Sequence, residues 1–316
     1  MANEPTPERL PVRPVAAIEA DPQHTGWLIE GLWTQQGVGL IGGAPKCCKT
    51  WLALDLAVSV ASGTPALGRF SVHERGPVLF YGAEDAAVHL RARIETIAAA
   101  RGLGLDGLDL SLILCPSLRL DAERDRARLA ATLAHHRPRL LLLDPLVRLH
   151  RIDENSANEM AALLAELRLL QRRYQLALVL VHHLRKQSGP VDGQALRGSS
   201  DLHAWGDSNL FLRRRQQQLL LTAEHRTAPP PLPCTLELAG APAPHLRVVD
   251  PESDPEPTAD LADRLLAALA GADQPLSREA LRQSLGIRNT TLGDILARLR
   301  AERRIERRDG GFVLDP

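Results

Sequence analysis

From residue 27 onward, short runs of continuous apolar residues alternate with longer stretches in which apolar positions recur at helical spacing. The runs at 38–41, 78–81, 110–114, 140–143 and 177–181 have the length and the Leu, Val and Ile content of strands. The stretches at 50–62, 86–100, 121–136 and 156–174 carry the period of amphipathic helices. A strand that is apolar at every position is buried on both faces, as in a parallel sheet covered by helices. The pattern therefore predicts an α/β fold with a mainly parallel, doubly covered sheet. After residue 181 the rhythm breaks. Residues 184–200 read as one long loop, and loops of that length in a compact domain usually carry function. Runs at 209–212, 217–223, 235–238 and 246–249 then predict strands that extend the sheet with antiparallel edges.

The two ends differ from this body. Residues 1–26 are rich in Pro and polar residues and read as an N-terminal arm, and 27–249 as the main domain. Residues 250–258, Asp-Pro-Glu-Ser-Asp-Pro-Glu-Pro-Thr, form an acidic, Pro-rich linker. Beyond it, 259–316 shows helical patterns at 261–269, at 278–285 behind a capping Ser277, and at 289–302. Strand patterns at 305–308 and 312–314 then flank Asp309-Gly310-Gly311, which predicts a hairpin. Three helices followed by a hairpin describe a small winged helix.

Composition narrows the picture. The 316 residues are 44% apolar but only 3% aromatic, so the core must be built from Leu, Ala and Val. Formal net charge is zero, which excludes a global basic field; any nucleic-acid binding must come from a local patch. Lysine occurs only at Lys46, Lys49 and Lys186, all other basic residues being Arg. Cys47, Cys48, Cys115 and Cys234 show no zinc-ligand spacing. No apolar run approaches the ~20 residues that cross a bilayer, and no signal pattern opens the chain. A cytoplasmic protein with reduced thiols, not embedded in a membrane, is expected.

The candidate chemistry lies at the ends of the predicted strands. Gly43-Ala44-Pro45-Lys46-Cys47-Cys48-Lys49-Thr50 joins the first long strand to the first helix, the setting of a phosphate-binding loop. Backbone N–H groups and the helix N-terminus would cradle phosphates, Lys49 would reach the β and γ phosphates, and the Thr50 hydroxyl would hold Mg²⁺. Cys48 stands where Gly usually precedes the Lys, so a side chain crowds the path of the phosphates. Oxidation of Cys48 would add bulk there, although the plainer reading is that Cys serves as a small residue. The strand 140–143 ends in Asp144, a carboxylate placed to hold Mg²⁺. The strand 78–81 leads to Glu84-Asp85; Glu84 is the expected general base, and Asp85 the expected N-cap of the following helix. The strand 177–181 leads to His182-His183, of which His183 is placed to sense the γ-phosphate.

Taken in order, the phosphate loop, Glu84-Asp85, Asp144-Pro145-Leu146-Val147-Arg148, His182-His183-Leu184-Arg185-Lys186 and Leu196-Arg197-Gly198-Ser199-Ser200 resemble one family. It is the RepA-type, RecA/DnaB-like hexameric ATPases, a AAA family of plasmid and phage replicative helicases. The resemblance covers about residues 27–226. It implies a RecA-like core that uses ATP and Mg²⁺, with Lys49 and Thr50 as phosphate and metal residues, Glu84 as base, Asp144 as second metal residue and His183 as sensor. Residues 184–200 correspond to the central-channel loop, where Lys186 and Arg197 would touch single-stranded DNA. Hexameric rings with an arginine finger from the neighbouring subunit are also implied. The stretch after Ser200 holds no Arg where RepA-type proteins can carry one, so Arg226 is the expected finger and Arg213 the reserve.

A winged helix is not a standard part of the minimal family member. As a DNA-binding module it would present Thr290, Thr291 and Arg298 to the DNA, with Arg303, Arg304, Arg307 and Arg308 on phosphates near the wing. Acidic residues interleave with these, and a protein-interaction or ring-assembly role stays open beside duplex binding. The leading expectation is a nucleic-acid-dependent ATPase motor of mobile elements. Two others stay open: a RecA-like ATPase without unwinding activity (a loader, recombination mediator or nucleotide-dependent regulator), and a non-enzymatic DNA-binding regulator with a crippled loop.

Overall fold

The computed structural model describes residues 10–18, 26–154, 156–183, 200–215, 218–240, 243–249, 257–272, 274–285, 289–308 and 311–315. The chain divides into two compact units, Met1–Val249 and Asp250–Pro316. In the first, a short antiparallel pair, β1 (Trp27–Ile29) and β2 (Trp33–Thr34), precedes a nine-stranded sheet. Its elements in chain order are β3 (Val38–Gly43), α1 (Lys49–Ser62), β4 (Val78–Gly82), α2 (Ala87–Ala99), β5 (Leu110–Leu112), α3 (Glu123–His136), β6 (Leu140–Asp144), α4 (Ala157–Tyr174) and β7 (Ala177–His183). There follow α5 (Ser200–Trp205), β8 (Ser208–Arg215), β9 (Gln218–His225), β10 (Cys234–Ala239) and β11 (His245–Val249). The strand order is β11-β10-β9-β8-β3-β7-β6-β4-β5.

Every pairing from β8 across to β5 is parallel, and β9, β10 and β11 are antiparallel. The α/β, RecA-like reading with a mainly parallel sheet and antiparallel edge strands therefore holds, with one difference. β8, expected among the antiparallel edges, runs parallel to β3, pairing Ile41 with Leu210 and Gly43 with Leu212. A parallel neighbour needs a long crossover connection, and the segment between β7 and β8 supplies its length. Gly39 permits the pairing, because a Cβ there would lie 1.7 Å from the Ser208 carbonyl oxygen.

Strand side chains alternate between faces, and here both faces are covered, which explains the continuous apolar runs. Ile41, Phe80, Leu142 and Val179 pack on one side against α1 and α2. Leu40, Tyr81, Leu143 and Leu180 pack on the other with Leu129, Leu133, Leu163 and Leu167 of α3 and α4. Helix α1 is buried almost all round, as its Leu52–Val60 stretch, apolar except for Asp55 and Ser59, requires.

One polar group inside this core is tightly held. Asp55 of α1, 2% exposed, accepts bonds from the Arg101 guanidinium at 2.6 Å and the Leu67 N–H at 2.7 Å. Arg101 also donates to Ser59 Oγ at 2.8 Å and Thr64 Oγ1 at 2.9 Å. Burial pushes the Asp55 carboxyl up, and Arg101 opposes that shift. The pair ties α1, the turn after it and the chain end of α2 into one block. Breaking a buried pair strands the remaining charge.

The second unit holds α6 (Pro257–Ala270), α7 (Arg278–Leu285), α8 (Asn289–Ala301), β12 (Ile305–Arg308) and β13 (Gly311–Leu314). Leu265, Leu281, Leu292, Ile295, Leu299 and Ile305 form its core. Ser277 Oγ accepts the Ala280 N–H at 3.1 Å, as a helix cap does. Leu276 and Phe312 exchange backbone hydrogen bonds, an isolated antiparallel bridge beside the β12–β13 hairpin. Among the described residues no helix is long and apolar enough to cross a membrane.

Substituting Arg101→Ala is expected to lower unfolding free energy by about 3–5 kcal/mol, the usual cost of orphaning one member of a buried pair. Chemical denaturation monitored by circular dichroism checks this; a midpoint equal to that of the wild type would contradict the assigned role.

Candidate functional site

The parallel register brings four strand ends to one edge of the sheet. Gly43 at the end of β3 pairs with His183 of β7, and Gly82 at the end of β4 pairs with Asp144 of β6. Ligands of open α/β sheets bind at this carboxyl edge. Here the chain leaves β3 through residues 43–50. Gly43 has no room for a side chain: an added Cβ would meet Cys47 Sγ and the Leu212 carbonyl oxygen at 2.6 Å each. Lys46 and Cys48 both adopt left-handed backbone, each with φ 63°. Alternating left- and right-handed residues turn successive N–H groups toward one concavity, an anion-binding nest. Cys48 is the N-cap of α1 and makes no side-chain capping bond, so the first amides of the helix face the same concavity uncapped.

Lys49 lies under this loop, 5% exposed, and donates to the carbonyls of Gly43 at 3.0 Å and Ala44 at 2.9 Å. Burial lowers its pKa, and the nearby Cys47 and Asp144 pull the other way. Thr50 Oγ1 donates to Asp144 Oδ2 at 2.6 Å. Asp144 is 7% exposed, and its pKa is pushed up to about 6. Burial is the main cause and the Asp85 and Glu84 charges add to it, while Thr50 and Lys49 oppose it. A hydroxyl and a carboxylate within hydrogen-bond reach, beside an anion nest, match what Mg²⁺ needs: few protein oxygens, with phosphates and waters completing the octahedron. Among the described residues no group of three or more His, Cys, Asp or Glu gathers into a metal cage. Such a site does not require one.

The Glu84 carboxylate accepts the Arg148 Nε–H at 2.7 Å, both side chains being well exposed. Asp85 does not cap α2. The N-cap is Ala86, without a side-chain bond, and Asp85 instead pairs with Arg93 at 2.8 and 3.2 Å. A guanidinium one to two turns into the helix outcompetes the helix amides for that carboxylate because its bonds are charge-assisted and bidentate. His183 is half-buried, with its Nδ1 shielded and without a hydrogen-bond partner. Burial and Lys49 hold its pKa below the usual imidazole range, so it meets the site as a neutral ring. His182 points to the opposite face of the sheet, 8% exposed, its pKa pushed down to about 4 by burial.

Other expected residues lie elsewhere. Lys186 and Arg197 fall outside the described residues. Arg226 sits at the opposite edge of the sheet from its own phosphate loop, beside the start of β8. There it donates to the Ala204 carbonyl at 2.5 Å and lies 3.6 Å from Asp207. Arg213 lies on β8, beyond Leu212. In the second unit, Thr290 and Thr291 lie in the first turn of α8. Arg298 lies 3.6 Å from Glu302, Arg304 4.0 Å from Glu302, and Arg308 pairs with Glu306. Arg303 and Arg307 are exposed.

Two residues of the site had gone without a role. Arg148 holds the expected base, and Arg214 of β8 donates to the Lys46 carbonyl at 2.9 Å. Their only trace in the sequence is an Arg at the end of Asp144–Arg148 and the run Arg213-Arg214-Arg215 at a strand end. A separate apolar cavity of about 490 Å³, between α2 and the β5 edge, contains none of these groups.

The raised Asp144 pKa has a pH signature. The fold favours the protonated carboxyl, so its contribution is full below the unfolded value near 3.8 and is lost as pH rises through about 6. Without Mg²⁺ or nucleotide, Asp144→Asn should be as stable as wild type at pH 4. Above pH 6 it should be more stable by about 2–3 kcal/mol. A stability difference that does not change between pH 4 and 7.5 would contradict the assignment.

The solved structures similar to this chain include a DnaB-like replicative helicase whose interactions with primase are described. It has 16% sequence identity and a TM-score of 0.50, and the match covers 65% of this chain and 56% of that one. This chain thus spans little more than half of the helicase chain, and the likeness speaks for the fold. The RadB recombinase matches with 15% identity and a TM-score of 0.49, over 68% of this chain and 92% of its own. A family model described as an AAA domain matches residues 4–189, more than half of the chain. With the phosphate loop, Asp144 and the RecA-like sheet in place, this protein belongs to the AAA-domain family as a RecA-like P-loop ATPase.

Proposed function

We propose that this protein is a ring-forming, nucleic-acid-dependent ATPase motor of the kind found in RepA-type replicative helicases of mobile elements. The observation that carries the reading is the Thr50–Asp144 contact of 2.6 Å beside Lys49 at the carboxyl edge of the sheet. Residues 43–50 bind the phosphates through backbone N–H groups, and Lys49 moves from the loop carbonyls to the β and γ oxygens. Thr50 and Asp144 hold Mg²⁺, which would neutralise charge developing on the phosphates. Glu84, released from Arg148, orients and deprotonates the attacking water. His183 contacts the γ-phosphate as a neutral donor and couples its loss to the segment that follows β7. Arg226 of one subunit completes the site of the next in a hexameric ring. Lys186 and Arg197 grip single-stranded DNA.

Within this reading, 1–26 is an arm, 27–249 the ATPase domain, 250–258 a linker and 259–316 a winged helix. The winged helix binds duplex DNA through α8, with Thr290, Thr291 and Arg298 toward the bases and Arg303, Arg304, Arg307 and Arg308 toward phosphates. A second reading is a RecA-like ATPase that does not unwind DNA, such as a loader or recombination mediator. It is favoured by the pairing of Arg298, Arg304 and Arg308 with Glu302 or Glu306, which leaves a modest basic field and suits a protein partner.

Turnover of ATP with and without single-stranded DNA tests the proposal. DNA should raise the rate several-fold. Glu84→Gln should lower kcat by about 10²–10⁴-fold, the range of a lost general base, while leaving ATP binding intact. An unstimulated rate, or a Glu84→Gln enzyme as fast as wild type, would refute it. Fork unwinding then separates the motor from the non-unwinding reading.

A further inference from the structure

Cys48 occupies a position with φ 63° and ψ 26°, conformational space in which a non-glycine residue is strained. Lys46, two residues earlier, is also left-handed at φ 63°. Two such residues in one short loop persist only if neighbours hold them there. From below, Cys47 is buried and wedged against Gly43, where no Cβ would fit. From above, the neighbouring strand supplies a cation. β8 pairs with β3 so that Leu212 lies opposite Gly43. Arg214, two residues further along, therefore shares the face of Leu212, the face that packs against α1. Its Nη2 donates to the Lys46 carbonyl at 2.9 Å and lies 3.8 Å from Cys48 Sγ.

We propose that Arg214 is a positioning residue for the phosphate loop: its guanidinium fixes the Lys46-Cys47-Cys48 turn and thereby compensates for the Cys that replaces the usual Gly. The bond falls on the Lys46 carbonyl, which lies between the two left-handed residues. With that carbonyl pinned toward β8, the N–H groups on either side stay turned into the concavity where phosphate binds. The bond is charge-assisted, and so among the stronger ones a solvent-facing side chain makes. A Gly at 48 would adopt the same backbone without strain and would need no such clamp. Arg214 thus differs in role from Arg226. It acts within its own subunit, on the shape of the loop. The inference rests on the ATP-binding reading of that loop.

A double-mutant cycle tests it. Equilibrium binding of fluorescent ATP with Mg²⁺ is measured for wild type, Arg214→Ala, Cys48→Gly and the double variant, with Arg214→Lys alongside. Arg214→Ala should weaken binding about tenfold, matching one lost charge-assisted bond. Its melting temperature should stay near that of wild type, because the side chain is exposed. In the Cys48→Gly background the same substitution should cost at least threefold less, and Arg214→Lys should bind better than Arg214→Ala. Unchanged affinity in Arg214→Ala, or equal losses in the two backgrounds, overturns the inference while leaving the ATPase reading intact. A wild-type chain that does not bind the probe overturns both.

Discussion

The contact between the Thr50 hydroxyl and the Asp144 carboxylate is the constraint on which the site depends. It joins the first turn of a helix to the end of a strand two places away in the sheet. It exists only because β3, β7 and β6 run parallel in a register that ends them together. The contact is also costly. A carboxylate this deep, with Glu84 and Asp85 adding like charge, ionises only as pH rises through about 6. Lys49 and Thr50 offset part of that cost, and a divalent cation would offset the rest.

The surrounding protein supplies rigidity for this arrangement. Parallel strands covered on both faces leave little freedom for a slip in register, because a one-residue shift would exchange the two apolar faces. Helix α1, which carries Lys49 and Thr50, is among the most buried elements, and the Asp55–Arg101 pair anchors its middle. The Glu84–Arg148 ion pair, by contrast, is solvent-facing, so releasing Glu84 costs little.

The fold was legible in the sequence because its signal is local. Runs such as Leu140–Leu143 announce buried strands without reference to anything distant, and the loop 43–50 follows one of them directly. The direction of β8 was not legible. It depends on the crossover before it and on Gly39, whose missing side chain matters only once Ser208 lies against it. The role of Asp85 was misread for the same kind of reason. An acid before a helix resembles a cap, and only the folded helix shows Arg93 within reach. Arg148 and Arg214 meet their partners across 64 and 168 residues of chain, and no spacing rule encodes such pairs. What separates the legible from the illegible is therefore contact range. Backbone patterns declare themselves, whereas side-chain pairs that tune a site must be seen.

Calorimetric titration of ATP into the full chain, with and without Mg²⁺, bears most directly on the central claim that residues 43–50 and Asp144 form a working nucleotide site. The account predicts one nucleotide bound per chain, with an affinity in the range of about 1 µM to 1 mM. Binding should be tighter with Mg²⁺ than with EDTA and abolished by Lys49→Ala. No binding by the wild-type chain at millimolar ATP, or equal binding by Lys49→Ala, would contradict it.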